Sequence, residues 1–184
     1  MFVVLAIGVH AGLLRSIDRA LLAVVQSPAR PELDLVGSVV AVFGQAEVTA
    51  GLAAGLAVAR LRARQVDFWV PLAIAFVVIV EAFGKIVVDQ PRPPVELARG
   101  LTLIQGVADP FIHSFPSGHV ARDAFLLLVV HGWPRIALWI GLALIILSRV
   151  YLGEHWPSDV VGGLVLGAGV AWGALSITQR PREG

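Results

Sequence analysis

The stretch FWVPLAIAFVVIVEAFGKIVV, residues 68–88, is an apolar run that carries two charges near its end. An α-helix needs about 20 predominantly apolar residues to cross the hydrocarbon core of a bilayer. Glu81 and Lys85 lie inside this run, where a charge costs about 2.5–3.5 kcal/mol at mid-span. We therefore predict a membrane helix here, and we interpret its charged residues as paired or functional.

The composition extends this interpretation to the whole chain. Hydrophobic residues make up 57% of the 184 residues and charged residues 15%, whereas soluble domains average about 45–50% and about 25%. The sequence predicts an all-α integral membrane protein, a single domain over residues 1–184 with about six transmembrane helices. A net charge of +1 gives no basic field for nucleic acid, and the absence of cysteine excludes disulfides and thiolate chemistry.

The remaining predicted helices follow from further apolar runs. These are residues 1–14, 35–59, 117–131, 136–150 and 160–177, of which the first is short for a full span. Residues 15–34 carry Arg15, Asp18 and Arg19 in an amphipathic pattern, which is typical of a segment that lies in the membrane interface.

Basic residues in short connections predict the orientation of these helices. The connections and the tail on one side contain Arg60, Arg62, Arg64, Arg135, Arg180 and Arg182. That side is predicted to be cytoplasmic, together with the interfacial His131. The loop 89–115 and the turn 153–158 then share the outer face.

Polar residues at helix ends form three clusters on this predicted outer face. They are Lys85, Arg92 and Pro93; Pro116, Ser117, Gly118 and His119; and Ser148, Arg149, His155 and Asp159. Three cations favour an anion with several oxygens, because arginine matches phosphate geometry and lysine adds a point charge. A helix starting after Pro116 would offer the N–H groups of Ser117, Gly118 and His119 to phosphate. Taken alone, Ser117 fits an ordinary N-cap equally well.

The two histidines suggest nucleophilic catalysis. Asp159, four residues after His155, could hold the imidazole Nδ1–H and leave Nε2 to attack. His119 could protonate the leaving oxygen and then activate water. Each residue taken singly has a plainer interpretation, since Asp159 could complement a helix dipole and the histidines could be interfacial side chains.

The ordered motifs K-x6-RP, PSGH and SR-x5-H-x3-D together resemble the type 2 phosphatidic acid phosphatase superfamily, in its branch of membrane lipid phosphatases. The resemblance is strong over residues 85–163. It implies a phosphohistidine on His155, oriented by Asp159, with His119 as acid and base. It also implies phosphate binding by Lys85, Arg92, Ser117, Gly118 and Arg149, and no metal or cofactor.

The resemblance implies a lipid phosphate substrate, either undecaprenyl diphosphate, phosphatidylglycerol phosphate or phosphatidic acid. The enzyme would lie in a bacterial-type inner membrane with its site facing outside, in contact with membrane lipids and without a nucleic-acid partner. Two alternatives remain: a phosphotransferase that uses the same phosphohistidine, and a non-catalytic lipid-phosphate binder. The soluble vanadium haloperoxidases share the motif, but the hydropathy argues against them. The oligomeric state is open.

Several charged residues fall outside the motifs. These are Glu47, Glu81, Arg122, Asp123 and Glu154. We favour a structural or surface role for the last four and cannot place Glu47. Glu81 could pair with Lys85, one helical turn away, and Glu154 could raise the basicity of His155. The loop 95–110 is predicted to line the entrance.

Overall fold

A computed structural model describes residues 1–103, 111–130 and 132–178, and this part of the chain is helical without a β-strand. Its helices are α1 (Phe2–His10), α2 (Arg15–Gln26), α3 (Pro31–Phe43), α4 (Ala46–Arg62), α5 (Ile74–Val87), α6 (Gly118–Val129), α7 (Arg135–Tyr151) and α8 (Pro157–Thr178). A 3-10 turn, Val70–Ala73, leads into α5, and another, Val95–Leu97, lies in the long loop. The prediction of an all-helical chain is confirmed for these residues.

Helices α6 and α8 form the centre of the fold and pack backbone against backbone. A Cβ atom added to Gly163 would collide with the carbonyl oxygen of Ser117, and one added to Gly167 would collide with that of Ala121. Small residues four apart allow this close approach of two helices. The contact continues into a buried apolar core around Phe125.

Replacing Gly167 with valine is expected to separate these two helices and to lower the free energy of unfolding by about 3 kcal/mol, because the added atoms meet backbone that cannot yield. Reversible unfolding in mixed micelles measures this loss. Gly169→Val on the same helix is the matched control, since a Cβ there meets nothing within 4 Å. Its expected effect is within about 0.5 kcal/mol. Equal losses in the two variants would contradict the packing argument.

Two helical segments in the described residues are long and apolar enough to cross a membrane. They are Val70–Val87 and Pro157–Thr178. The pair Pro31–Phe43 and Ala46–Arg62 passes the same test jointly but is bent by 42°. The prediction of one continuous helix over residues 35–59 is therefore wrong. The helix breaks at Gly44, whose carbonyl accepts a hydrogen bond from Arg122 Nη2 at 3.2 Å instead of continuing the helical ladder.

The outer surfaces of the long helices carry large apolar side chains. Phe83 on α5 is 65% exposed and Trp172 on α8 is 76% exposed, and α7 exposes Ile136 and Trp139. Extended apolar surface of this kind marks contact with lipid. Helix α6, by contrast, has 12 residues with mostly buried side chains. The predicted span from residue 117 to 131 is thus a shorter, internal helix.

Helix α2 is amphipathic, as predicted, but it is also anchored to the core. Asp18 is 2% exposed, and its carboxylate accepts hydrogen bonds from Ser158 N–H at 2.8 Å and Ser158 Oγ at 2.7 Å. These donors belong to the first turn of α8, where backbone N–H groups lack helical partners. An apparently interfacial helix therefore caps the helix that follows the candidate nucleophile.

One arginine used to predict the orientation has a different role in the fold. Arg60 is buried, pairs with Asp67 at 2.9 Å and also donates to the Val129 carbonyl. Arg60 therefore stabilises the fold, and its charge is not evidence for the orientation of the helices. Arg62 and Arg64 are exposed and still fit the prediction. Arg180, Arg182 and His131 lie outside the described residues.

Candidate functional site

A cavity of about 410 Å³ lies between the break that separates α3 from α4, helix α5 and the ends of α6 and α7. Six of the eight predicted site residues line it: Lys85, Arg92, Gly118, His119, Arg149 and His155. Ser117 and Asp159 are fully buried behind its wall. The structure thus brings together residues that are up to 70 positions apart in the sequence.

The three cations reach the cavity from three different segments. Lys85 belongs to the last turn of α5, Arg92 to the loop that follows, and Arg149 to the last turn of α7. Lys85 Nζ lies 5.7 Å from the centre of the Phe111 ring, and Arg92 Nη2 donates to the Phe111 carbonyl at 3.1 Å. Arg149 forms an ion pair with Glu154. The Glu154 carboxylate therefore engages a guanidinium that was predicted to bind phosphate.

Glu81 is the carboxylate that neutralises the cationic end of this cavity. Its Oε1 lies 3.1 Å from Lys85 Nζ, and its Oε2 accepts from Arg122 Nη1 at 2.5 Å. All three side chains are buried. A Cβ atom on Gly118 would collide with the Glu81 carboxylate, so the PSGH glycine makes room for this network as well as for a ligand. The predicted pairing of Glu81 with Lys85 is confirmed, and Arg122 joins it from inside the fold.

His155 and Asp159 are adjacent at the start of α8. The distance from His155 Nδ1 to Asp159 Oδ2 is 3.5 Å, somewhat longer than a normal hydrogen bond. Asp159 Oδ2 accepts the Trp156 backbone N–H at 2.8 Å. Asp159 therefore caps the helix and also faces the imidazole. Catalytic hydrogen bonds are often long in unliganded enzymes and tighten when substrate binds.

The environment of His155 favours its neutral form. The residue precedes α8 and is 4% exposed. Burial, followed by the positive charge of Arg149, lowers the pKa of His155 well below its ordinary value. An imidazole attacks only through an unprotonated nitrogen, so this environment suits a nucleophile at neutral pH.

The helix N-terminus at the PSGH motif offers fewer donors than the sequence predicts. Ser117 precedes the first residue of α6, and its N–H donates to the Asp159 carbonyl at 3.0 Å. That N–H is therefore engaged, and the expectation of three available groups is wrong for Ser117. Its Oγ is buried, has no hydrogen-bond partner in the described part of the chain and does not cap the helix. The proposed phosphate cradle is then reduced to the Gly118 and His119 N–H groups.

His119 and Asp123 lie side by side next to Gly44. A Cβ atom built on Gly44 would lie 2.7 Å from His119 Cδ2 and 2.8 Å from Asp123 Oδ2. The Asp123 Oδ2 atom is buried and has no hydrogen-bond partner among residues 1–103, 111–130 and 132–178. Gly44 at the helix break thus creates the space in which this histidine and carboxylate sit. The sequence signal was present, since Asp123 interrupts the apolar pattern one helical turn after His119.

Several polar residues that hold the site together were missed. Gln90 Nε2 donates to Ser158 Oγ at 3.2 Å, and His113 contacts the Lys85 carbonyl at 2.9 Å and Asp89 at 3.0 Å. The His113 contacts join the segment before α6 to the end of α5 and the residues after it, and the Gln90 contact joins the segment after α5 to the start of α8. Each contact has one partner in a loop, where no periodic pattern predicts a contact. Glu47, which could not be placed, lines the cavity.

The described residues contain no group of three or more His, Asp or Glu side chains arranged to hold a metal ion. The prediction that catalysis needs no metal stays a prediction.

Comparison with known proteins identifies the family. The sequence profile of the PAP2 superfamily matches residues 66–183, which include every predicted site residue. The chain belongs to the PAP2 superfamily. An undecaprenyl-diphosphatase of Sulfolobus acidocaldarius is 31% identical over 120 residues, which cover 63% of this chain and 57% of that protein. The chain thus matches little more than half the length of this PAP2 relative.

Solved PAP2 structures share the fold. A transmembrane PAP2 type phosphatidylglycerolphosphate phosphatase from Bacillus subtilis superimposes with a TM-score of 0.81 at 21% identity, covering 99% of this chain and 94% of that one. Aquifex aeolicus LpxE gives a TM-score of 0.68 at 25% identity, covering 85% and 93%. The two helical segments that are long and apolar enough to cross a membrane, Val70–Val87 and Pro157–Thr178, indicate an integral membrane protein.

Proposed function

We propose that this protein is a lipid phosphatase that hydrolyses a phosphomonoester or diphosphate through a phosphohistidine on His155. The observation that carries the proposal is the convergence of His119, His155 and three cations on one cavity. Membership of the PAP2 superfamily and the phosphatase names of its relatives support the same activity.

The apolar part of the cavity supports a lipid substrate. The apolar residues that line it include Ala41 and Val42 on α3 and Val78 and Ala82 on α5. Val78 is also part of the exposed apolar surface of α5. A phosphate could therefore sit among the cations while its hydrocarbon chain leaves between α3 and α5. A water-soluble phosphate ester has no hydrocarbon chain to pack against these apolar side chains.

The proposed mechanism has two displacements at phosphorus. The neutral imidazole of His155 attacks phosphorus, the bond to the leaving oxygen breaks, and His119 gives its proton to that oxygen. Water then attacks the phosphohistidine while His119 takes back a proton, which releases phosphate and restores His155. Lys85, Arg92, Arg149 and the Gly118 N–H stabilise the charge on the phosphoryl oxygens. Asp159 orients His155, and the Ser117 hydroxyl supplies a further donor to the phosphoryl oxygens.

We further propose that residues 1–184 act as one domain with about six membrane helices and with the cavity at the outer face. The basic residues Arg62, Arg64 and Arg135 support this orientation by the positive-inside rule. An outward-facing site favours a carrier-lipid diphosphate over phosphatidylglycerol phosphate or phosphatidic acid. The name of the Sulfolobus relative points the same way.

Phosphate release by the purified protein tests the proposed function. Undecaprenyl diphosphate, phosphatidylglycerol phosphate and phosphatidic acid are each offered with a chelator present and in ¹⁸O-labelled water. We expect release from at least one lipid, with one ¹⁸O atom in each phosphate. Transfer of phosphate to an added alcohol without ¹⁸O uptake would show a phosphotransferase. A lack of turnover with every lipid, or strong inhibition by the chelator, would count against the proposal.

A further inference from the structure

A second, smaller cavity lies on the far side of the segment that carries the nucleophile. Its volume is about 150 Å³, well above the roughly 10–15 Å³ that one water molecule requires. Its lining residues are Arg15, Asp18, Arg19, Gln90, Pro91 and Trp156. None of them lines the catalytic cavity.

The charges of this cavity favour an anion. Arg15 and Arg19 are exposed and lie one turn apart on α2, and neither guanidinium makes a hydrogen bond or ion pair with any residue in the described ranges. The carboxylate of Asp18 is already engaged by two hydrogen bonds from Ser158 at the start of α8. Two arginines therefore present unused donors to one cavity, an arrangement that suits phosphate oxygens.

The position of α2 indicates where such an anion comes from. Ile17, Leu21 and Val24 form an exposed apolar stripe on the helix, at the spacing of one helical face. An amphipathic helix with such a stripe lies in the interface, with its apolar face among the acyl chains and its basic residues at the level of the headgroups. Arg15 and Arg19 would then meet the phosphodiester of a neighbouring phospholipid.

Only a thin wall separates this cavity from the catalytic one. Pro91 and Trp156 line the small cavity, and the next residues in sequence, Arg92 and His155, line the large one. Trp156 Nε1 donates to the Pro91 carbonyl at 2.7 Å and so closes the wall. A ligand that touches Trp156 and Pro91 is therefore one residue away from the nucleophile and from a phosphate-binding cation.

We infer that the cavity between α2 and the start of α8 binds the headgroup of an anionic phospholipid, whose phosphodiester is held by Arg15 and Arg19. Its occupant is a lipid of the surrounding membrane and not the substrate. Occupancy stabilises the contact between Trp156 and Pro91 that positions Arg92 and His155.

Native mass spectrometry of the detergent-purified protein, equilibrated with equal amounts of phosphatidylglycerol and phosphatidylcholine, tests this inference without requiring turnover. We expect the wild type to retain phosphatidylglycerol preferentially. The double variant Arg15→Gln/Arg19→Gln is expected to bind it at least about tenfold more weakly, because two charge-assisted contacts are lost. Arg15→Lys/Arg19→Lys should keep part of the preference.

The matched control is Arg62→Gln/Arg64→Gln, which removes the same charge from exposed positions outside both cavities. An unchanged lipid preference in Arg15→Gln/Arg19→Gln, or an equal loss in the control, would overturn the inference. Competition with inorganic phosphate shows whether the cavity binds a lipid headgroup or a soluble anion. If millimolar phosphate displaces the lipid from the wild type, the cavity takes a soluble anion and the assignment to a lipid headgroup is wrong.

Discussion

Phosphate release is expected to fall by about 10⁴-fold or more when His155 is replaced by asparagine, because the variant loses the atom that we propose attacks phosphorus. Asparagine occupies similar space, and the cations remain in place. The lipid phosphate should therefore still bind, with an affinity within about tenfold of the wild type. Single-turnover release of phosphate measures the loss, and equilibrium binding to the variant measures what is retained.

The same substitution at His10 is the control, since that histidine is exposed at the end of α1 and does not line the catalytic cavity. His10→Asn should keep the wild-type rate. Wild-type protein quenched during turnover of labelled lipid should carry an acid-labile label on His155. A His155→Asn variant that releases phosphate at more than a tenth of the normal rate would rule out the proposed nucleophile.

The second large effect concerns stability. Glu81→Gln is expected to lower the free energy of unfolding by about 3–5 kcal/mol, because Lys85 and Arg122 lose the buried carboxylate that lies between them. Unfolding in mixed micelles, followed by tryptophan fluorescence, measures the loss. Glu47→Gln is the control, since this exposed carboxylate lines the same cavity. Its expected cost is below about 1 kcal/mol.

A double variant separates charge burial from simple loss of packing. Glu81→Gln/Arg122→Met removes the carboxylate together with one of its two cations, and it should be more stable than Glu81→Gln alone. If the double variant loses as much unfolding free energy as Glu81→Gln and Arg122→Met lose together, Glu81 does not act by neutralising Arg122. Arg122→Met alone should cost less than Glu81→Gln, because Glu81 keeps Lys85 at 3.1 Å.

The family and most of the charged or imidazole side chains that meet at the cavity could be predicted from the sequence because these residues interrupt apolar runs. Lys85, Arg149 and His155 each stand at the end of a hydrophobic helix, where a charge or imidazole is conspicuous. Helical periodicity also predicted the amphipathic character of α2. Signals of this kind depend only on neighbouring residues, and for that reason they could be read without a structure.

The rest depends on contacts between distant segments. The break at Gly44 could not be predicted, because the Gly44 carbonyl at the break accepts a hydrogen bond from Arg122, which lies 78 residues away in the sequence. In the sequence, Asp18 resembles an ordinary residue of a surface helix. Its hydrogen bond from Ser158, 140 residues away, appears only in the structure. Arg60 fits the positive-inside rule in the sequence, but in the structure its side chain is buried and pairs with Asp67. The sequence predicts that the Ser117 N–H binds phosphate, because no sequence pattern indicates its hydrogen bond to the Asp159 carbonyl.

The backbone contact between α6 and α8 has a consequence for how a substrate enters. His119 stands on α6 and His155 immediately before α8, and the hydrogen bond from Ser117 to Asp159 joins the beginnings of these two helices. The proposed proton donor and the proposed nucleophile therefore belong to two helices whose backbones are in direct contact. In the proposed mechanism, this contact holds the two histidines at a constant spacing while a bulky lipid enters the cavity. In-line displacement at phosphorus requires such a spacing, so the contact between the two helices would serve the alignment of the reaction as well as the stability of the fold.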